Sequence, residues 1–171
     1  MDKGENNKSL TPGEVAAQPT ERVIMKGLTY TRIVSEDDID IFQLSQIYKM
    51  PGVSQFLSIS ENYFHYVTNT ENVYFYKVYA NERLIGTIHL EKYESLLYMD
   101  ILIFPEFQKM GFATKVIKDI QRDIFKLNYK KIEISIDEKN VASIKLFRNS
   151  GFSFVSQEDE LMNFVYEKTN G

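Results

Sequence analysis

No cysteine occurs among the 171 residues, which removes disulfides, thiolate metal ligands and a cysteine nucleophile together. Histidine is almost as scarce. His65 and His89 are the only two, their separation fits no short zinc spacing, and no metal is expected. A run of about 18 apolar residues is missing, which excludes a membrane-spanning helix. Residues 1–24 hold no apolar core ahead of a small-residue cleavage site, so they are not read as a signal peptide. A basic excess is missing too. Lys plus Arg is 20 against 24 for Asp plus Glu, a net charge of −4, whereas a dedicated nucleic-acid binder carries a basic face. What remains is a single-domain protein of ordinary globular make-up, 43% hydrophobic and 26% charged. It is expected to be cytoplasmic, with neither nucleic acid nor membrane as a partner.

Residues 1–24 are rich in Gly, Asn, Glu, Pro and Gln without apolar period. They are expected to form a disordered arm, because too little apolar surface is available to offset the entropy of ordering. Leu28–Val34 reads as a first strand. Ser35 with Glu36, Asp37 and Asp38 reads as a capped helix start, with Ile39, Phe42 and Ile47 on its buried face and Pro51-Gly52 as its stop. A shorter helix is expected over Glu61–Val67. Val73–Ala80 and Leu84–Tyr93 form a hairpin through Asn81-Glu82, and Leu96–Phe104 is a further, nearly continuously apolar strand. Ala113, Val116, Ile117, Ile120, Ile124 and Leu127 fall at three- and four-residue steps, which predicts a helix over Gly111–Leu127. A strand at Ile132–Ile136, a helix at Asn140–Ser150 and a closing hairpin of Phe152–Ser156 with Leu161–Lys168 complete a mixed α/β order.

Chemistry concentrates between Asp100 and Lys115. A buried strand ends at Pro105, and a short loop feeds directly into a helix at Gly111. The first N–H groups of any helix lack an internal partner. No Ser, Thr, Asp or Asn lies between Phe107 and Ala113 to cap them, and Lys109 and Lys115 carry the wrong charge for the positive end of a helix dipole. A bound anion resolves both oddities. Gly111 removes the side chain where a phosphate would approach backbone nitrogen, and Ala113 keeps the next position small. The plainer alternative is a water-capped helix with Gly111 relieving strain. A P-loop fails because Thr114-Lys115 has the wrong order and no glycine upstream at the right spacing, and a dinucleotide fingerprint fails because only Gly111 is present.

Gln108-Lys-Met-Gly-Phe-Ala113 is similar to the Q/R-x-x-G-x-G/A signature of the GNAT superfamily of acetyl-CoA-dependent N-acetyltransferases. Asn140-Val-Ala-Ser-Ile-Lys-Leu-Phe-Arg-Asn-Ser-Gly-Phe152 resembles that superfamily's N-x-x-[AS]-x-x-L-Y-x-x-x-G-F motif, at the usual distance downstream. The resemblance covers about residues 27–168. It implies an α/β fold with a mixed, mostly antiparallel sheet of six to seven strands, a splayed central parallel pair and about four helices. Residues 25–171 would form this single domain.

The resemblance further implies acetyl-CoA as acyl donor and an amine acceptor, either a small molecule or a protein amino group, in a monomer or homodimer. Backbone groups of Ile101, Leu102 and Ile103 would hold the pantetheine arm, and the segment Gln108, Lys109, Met110, Gly111, Phe112, Ala113 and Thr114 would take the pyrophosphate. Asn140, Ser143 and Phe147 would lie against the pantetheine. Asn140 also reads simply as a helix cap, worth about 1 kcal/mol. Direct attack needs a neutral amine, and a carboxylate can take the proton. Asp100, Glu91 and Glu133 are the candidates, with Asp100 singled out by its otherwise apolar strand, although alternation places Ile101 and Ile103 on the opposite face. Phe147 stands where the family often has a thiol-protonating tyrosine, so no general acid is assigned. A rival reading is a non-catalytic acyl-CoA sensor or interaction module. The aromatic segment from Tyr63 to Tyr79 reads chiefly as core, with an aromatic wall for a cation as the second possibility.

Overall fold

Alternation of apolar and polar residues builds the outer strands, an apolar run builds the central ones, and three- and four-residue apolar spacing builds the helices. The computed structural model describes residues 22–25 and 27–169. In chain order the elements are β1 (Arg22–Met25), β2 (Leu28–Arg32), α1 (Ile41–Tyr48), α2 (Pro51–Ser54), α3 (Tyr63–Asn69), β3 (Val73–Ala80) and β4 (Arg83–Tyr93). They continue with β5 (Leu96–Ile103), α4 (Phe112–Gln121), β6 (Lys131–Asp137), α5 (Val141–Asn149), β7 (Ser153–Glu158) and β8 (Leu161–Glu167). A 3-10 turn at Pro105–Phe107 joins β5 to α4. The strands form one sheet in the order β1-β2-β3-β4-β5-β6-β8-β7.

Every neighbouring pair is antiparallel except β5 and β6. That parallel pair is joined only at Leu96 with Lys131, Leu97 with Ile132 and Tyr98 with Glu133. Beyond Tyr98, β5 continues to Ile103 beside β4 alone. This is the expected mixed sheet with a splayed parallel pair. Its eighth strand, β1, is an addition. Arg22, Val23 and Ile24, assigned from sequence to the arm, pair with β2, and Val23 packs on the core. A strand so short carries too little alternation to be read from sequence. The rest of the expected arm, residues 1–21, lies outside the described residues.

The sheet is covered on both faces. Val116, Ile117 and Ile120 of α4 and Phe147 of α5 pack against Tyr30, Tyr76, Ile88, Met99 and Ile132. On the other face Leu44 and Tyr48 of α1, Val53 of α2 and Phe64 and Val67 of α3 pack against Ile33, Phe75 and Leu102. Among the described residues no helix is long and apolar enough to cross a membrane.

Three helix boundaries differ from the sequence reading. The first helix starts at Ile41, not near Ser35, and its buried residues are Leu44 and Tyr48, while Ile39 is 92% and Phe42 76% exposed. Local bonds compete with the helix here: the Ser35 hydroxyl accepts from the Asp37 N–H, and Asp38 Oδ1 from the Asp40 N–H. Both aspartates are also drawn to β3. Buried Lys77 donates to the two Asp38 oxygens at 2.9 Å and to Asp40 Oδ2 at 2.7 Å. Pro51 starts a helix as well as ending one, since its missing N–H costs nothing at a first turn. The fourth helix stops at Gln121 and not at Leu127, because Asp123 turns left-handed (φ 55°) and its carboxylate accepts from the N–H groups of Leu127 and Asn128.

Removing Lys77 leaves two carboxylates facing each other beneath α1. Because Asp38 and Asp40 keep side-chain exposures of 18% and 22%, water screens part of the loss. Lys77→Ala is therefore expected to destabilise the protein by about 2 kcal/mol, read as a lower urea midpoint with unchanged slope.

Candidate functional site

The loop after β5 leaves the next helix open-ended. Gln108 Nε2 donates to the Ile103 carbonyl at 2.9 Å, which folds the loop back on the strand end. Lys109 (φ 59°) and Gly111 (φ 83°) are both left-handed, and Gly111 is the N-cap of α4 with no side chain bonded to the helix end. The first turn of α4 contains no acidic residue. A Cβ built on Gly111 meets nothing within 4 Å, so open space stands in front of the unpaired N–H groups.

That space belongs to a cavity of about 470 Å³ that runs along the end of β5 no longer paired with β6. Ile101, Leu102 and Ile103 of β5 line it, together with Gln108, Lys109, Gly111, Phe112, Ala113 and Thr114 from the loop and α4, and Asn140, Ser143 and Phe147 from α5. The opposite face contributes Gly52, Val53 and Gln55 through Leu57. Of the residues that sequence motifs single out for cofactor contact, Met110 alone does not reach this wall, and it is 63% exposed. Asn140 does cap α5, its Oδ1 accepting from the Ser143 N–H at 3.2 Å, while also facing the cavity. Phe147 is buried and lies edge-on to Phe152 at 5.2 Å. It offers the cavity no hydroxyl.

Asp100 does not line the cavity; it stands beside it. The β4–β5 register runs without a bulge, placing Asp100 opposite His89. Asp100 and Leu102 therefore share the face covered by α1–α3, and Ile101 and Ile103 turn to the α4–α5 face. Among the described residues the Asp100 carboxylate has no hydrogen bond or ion pair, whereas the other two candidates are engaged. Glu133 pairs with Lys131 at 2.6 Å, and Glu91 Oε1 accepts from Tyr66 at 2.9 Å and from His89 at 2.8 Å. Asp100 is exposed to solvent, yet desolvation by the surrounding protein raises its pKa above the ordinary carboxylate value, with His89 opposing and Glu91 reinforcing the rise.

Sequence reasoning missed the surroundings of this carboxylate. Tyr48 on α1 bonds Thr87 on β4 at 2.8 Å, and the Tyr63 hydroxyl on α3 bonds His89 Nδ1. The Tyr63 ring also packs on Phe64 and Phe75, so the core reading of this segment holds for part of it. Burial raises the pKa values of Tyr48 and Tyr63, and the Asp100 charge adds to both; each stays a hydroxyl donor at neutral pH. His65 is exposed and bonded to Glu36. Among the described residues no group of three or more potential metal ligands is found.

A second omission is Gly86. Its Cβ would stand 2.2 Å from the Leu102 carbonyl oxygen and 3.2 Å from Ile103 Cα. The glycine therefore lets β4 hold the far end of β5, beyond the point where β6 parts from it. A glycine inside a strand is the signal that marks such close approach. Gly86→Ala must push β5 aside; it is expected to cost about 2 kcal/mol in urea unfolding and to weaken ligand binding in the cleft, measured by calorimetry.

A family model described as the acetyltransferase (GNAT) family matches residues 40–152. No curated protein matches the chain in sequence. Solved structures do match in shape. A domain from Methanocaldococcus jannaschii superposes with a TM-score of 0.70 at 19% identity, covering 82% of this chain and 97% of that one. Spermidine N-acetyltransferase from Vibrio cholerae, solved with CoA and spermine, gives 0.71 at 16%, covering 84% and 96%. The aminoglycoside acetyltransferase AAC(6')-Ib, solved with coenzyme A, gives 0.68 at 17%, covering 82% and 95%. With the split sheet, the open helix end and a family match over most of the folded chain, the conclusion is direct: the protein belongs to the GNAT family of acetyltransferases.

Proposed function

We propose that the protein transfers the acetyl group of acetyl-CoA to a primary amine by direct attack in a ternary complex. The observation that carries this reading is the cavity along the unpaired end of β5, with an uncapped helix end on one side and the unpaired Asp100 beside it on the other. The backbone of β5 beyond Tyr98 has no strand partner on its β6 side, which suits an amide-bearing pantetheine arm lying alongside it. The N–H groups of Gly111–Thr114 and the left-handed turn at Lys109 suit a pyrophosphate. A backbone N–H near Ile103 would polarise the thioester carbonyl as charge develops on its oxygen.

The acceptor enters from the α1–α3 face. An alkyl ammonium of pKa near 10.4 must lose a proton before attack, costing about 4.6 kcal/mol at pH 7. Asp100 supplies the acceptor for that proton: it is unpaired, on the α1–α3 face, and its pKa is raised above the ordinary carboxylate value. The leaving thiolate has a solution pKa of about 8.5 and departs without a side-chain acid at Phe147. That missing hydroxyl is also the one observation favouring a non-catalytic acyl-CoA sensor, and turnover of any amine decides between the two. The acceptor is either a small amine or a protein amino group.

Calorimetric titration of the whole chain with acetyl-CoA, with ATP as control, tests the donor side. Micromolar binding of acetyl-CoA alone is expected; no binding overturns the reading. Gly111→Glu, which sets a carboxylate where the phosphate would lie, is expected to weaken that binding at least 100-fold. Gly111→Asn, a residue that tolerates the left-handed backbone, separates the charge effect from strain and retains most of the affinity. Asp100→Asn is expected to lower kcat about 100-fold at pH 7. The deficit shrinks as pH rises toward the pKa of the amine, which then arrives deprotonated. A loss equal at every pH would assign Asp100 another role.

A further inference from the structure

The outer side of an edge strand is a row of unpaired N–H and C=O groups that another chain can join. Proteins guard such edges with short strands, Lys, Pro, inward-pointing charges or bulges. Of the two edges of this sheet, β1 is guarded by its length of four residues and by Arg22. β7 is longer, and among the described residues nothing pairs with its outer side. Its six residues, Ser153 to Glu158, are all exposed. They include neither Lys nor Pro, and Glu158 is their one charge. A single guard is present, the bulge between Phe154 and Ser156. That bulge brings no charge to the edge: Phe154 and Val155 stand there together, 46% and 56% exposed.

Charges near β7 are distributed unevenly along one of its faces. Phe154 lies opposite Phe164 and Gln157 opposite Met162 on β8. Both β8 residues belong to the core layer beneath α4 and α5, so Phe154 and Gln157 share the α5 face. Arg148 of α5 lies over the Phe164 ring at 5.6 Å, and the Phe154 ring meets that of Phe164 at 5.8 Å. Arg148 thus stands near Phe154. It is exposed, and among the described residues it has no carboxylate partner. Gln157 Nε2 donates to Glu138 Oε2 at 2.7 Å, and among the described residues no cation pairs with Glu138. A guanidinium therefore marks one end of β7 and a carboxylate the other, and within one chain the two do not meet.

We propose that β7 is the seam of a symmetric dimer of this chain, two copies pairing β7 antiparallel so that their sheets run on as one. The proposal goes beyond acetyl transfer and does not depend on it. With full overlap Phe154 stands opposite the partner's Gln157, Val155 opposite the partner's Ser156, and Ser153 opposite the partner's Glu158. The one carboxylate of each strand then meets a serine and not its own copy. Arg148 arrives beside the partner's Gln157 and so at the partner's Glu138, and the two-fold axis makes this ion pair twice. Phe154 and Val155 of both copies gather around the axis, which passes between Val155 and Ser156. Both copies carry the bulge beside the axis, so its added twist is the same on either side. Such a contact closes at two copies. A stable dimer buries roughly 800 Å² per partner, more than six strand residues supply; α5 and the turn carrying Glu138 flank the strand and make up the remainder.

Sedimentation equilibrium of the intact chain tests the seam. A mass twice that of one chain is expected, with a Kd in the micromolar range or below. Val155→Lys sets two like charges beside the axis and is expected to give monomers. They stay folded, read as an unchanged circular dichroism spectrum, because Val155 is already exposed. Amide hydrogen exchange speeds up in β7 of this variant and is unchanged in β4. Arg148→Glu alone is expected to weaken pairing about 10-fold, and its combination with Glu138→Arg to restore it, since the swap keeps opposite charges face to face. A wild type that stays monomeric at every concentration overturns the proposal. So does a dimer that Val155→Lys leaves intact, which sets the seam elsewhere. A charge swap that fails to restore pairing overturns the antiparallel register. Turnover of an amine is read separately, so each of these outcomes leaves acetyl transfer standing.

Discussion

The parting of β5 from β6 after Tyr98 is the constraint on which the rest of the molecule depends. A strand in the middle of a sheet ordinarily satisfies its backbone on both sides, and buried amides without partners are costly. Here β4 holds one side of β5 through Ile103 while the other side opens into a cavity. Gly86 permits the close β4–β5 approach at the open end of β5, and Gln108 returns to the Ile103 carbonyl to finish the strand end. Whatever lies in the gap completes the sheet, so binding there and order in the centre of the fold are linked.

Alternation along β5 then divides the labour between the two faces. Ile101 and Ile103 turn toward α4 and α5, where the uncapped helix and Asn140 stand. Asp100 and Leu102 turn toward α1–α3, where tyrosines and His89 gather. The alternation that keeps Asp100 off the cavity wall is what brings it among the groups on the α1–α3 face. In the proposed transfer, donor and acceptor enter from opposite faces and meet in the gap without either crossing the sheet.

The parts legible in the sequence were those written within one short stretch of chain. Gln108–Ala113 and Asn140–Phe152 carry their own geometry, since a helix end, a left-handed glycine and an asparagine cap are local facts. Most of the strands were legible for the same reason. The acceptor side was not, because Tyr48 meets Thr87 across 39 positions and Tyr63 meets His89 across 26. No spacing rule joins residues that distant. The start of α1 was misplaced for a related cause: Lys77, a single buried cation 37 and 39 positions away, captures Asp40 and Asp38 from what reads as a helix-starting run. Ile39 and Phe42 were then left outside, although their spacing alone favours burial.

Asn140 illustrates how a structural duty can set a chemical vocabulary. Its carbonyl oxygen is committed to the Ser143 N–H, so the amide cannot flip without uncapping α5. Its NH₂ takes no part in the cap. The NH₂ is thus the part of the side chain left for donation to carbonyl or hydroxyl oxygens of a ligand. An aspartate would keep the cap yet present a negative oxygen in place of two hydrogens. Fold and recognition at this position therefore tolerate different alphabets, and asparagine is the letter they share.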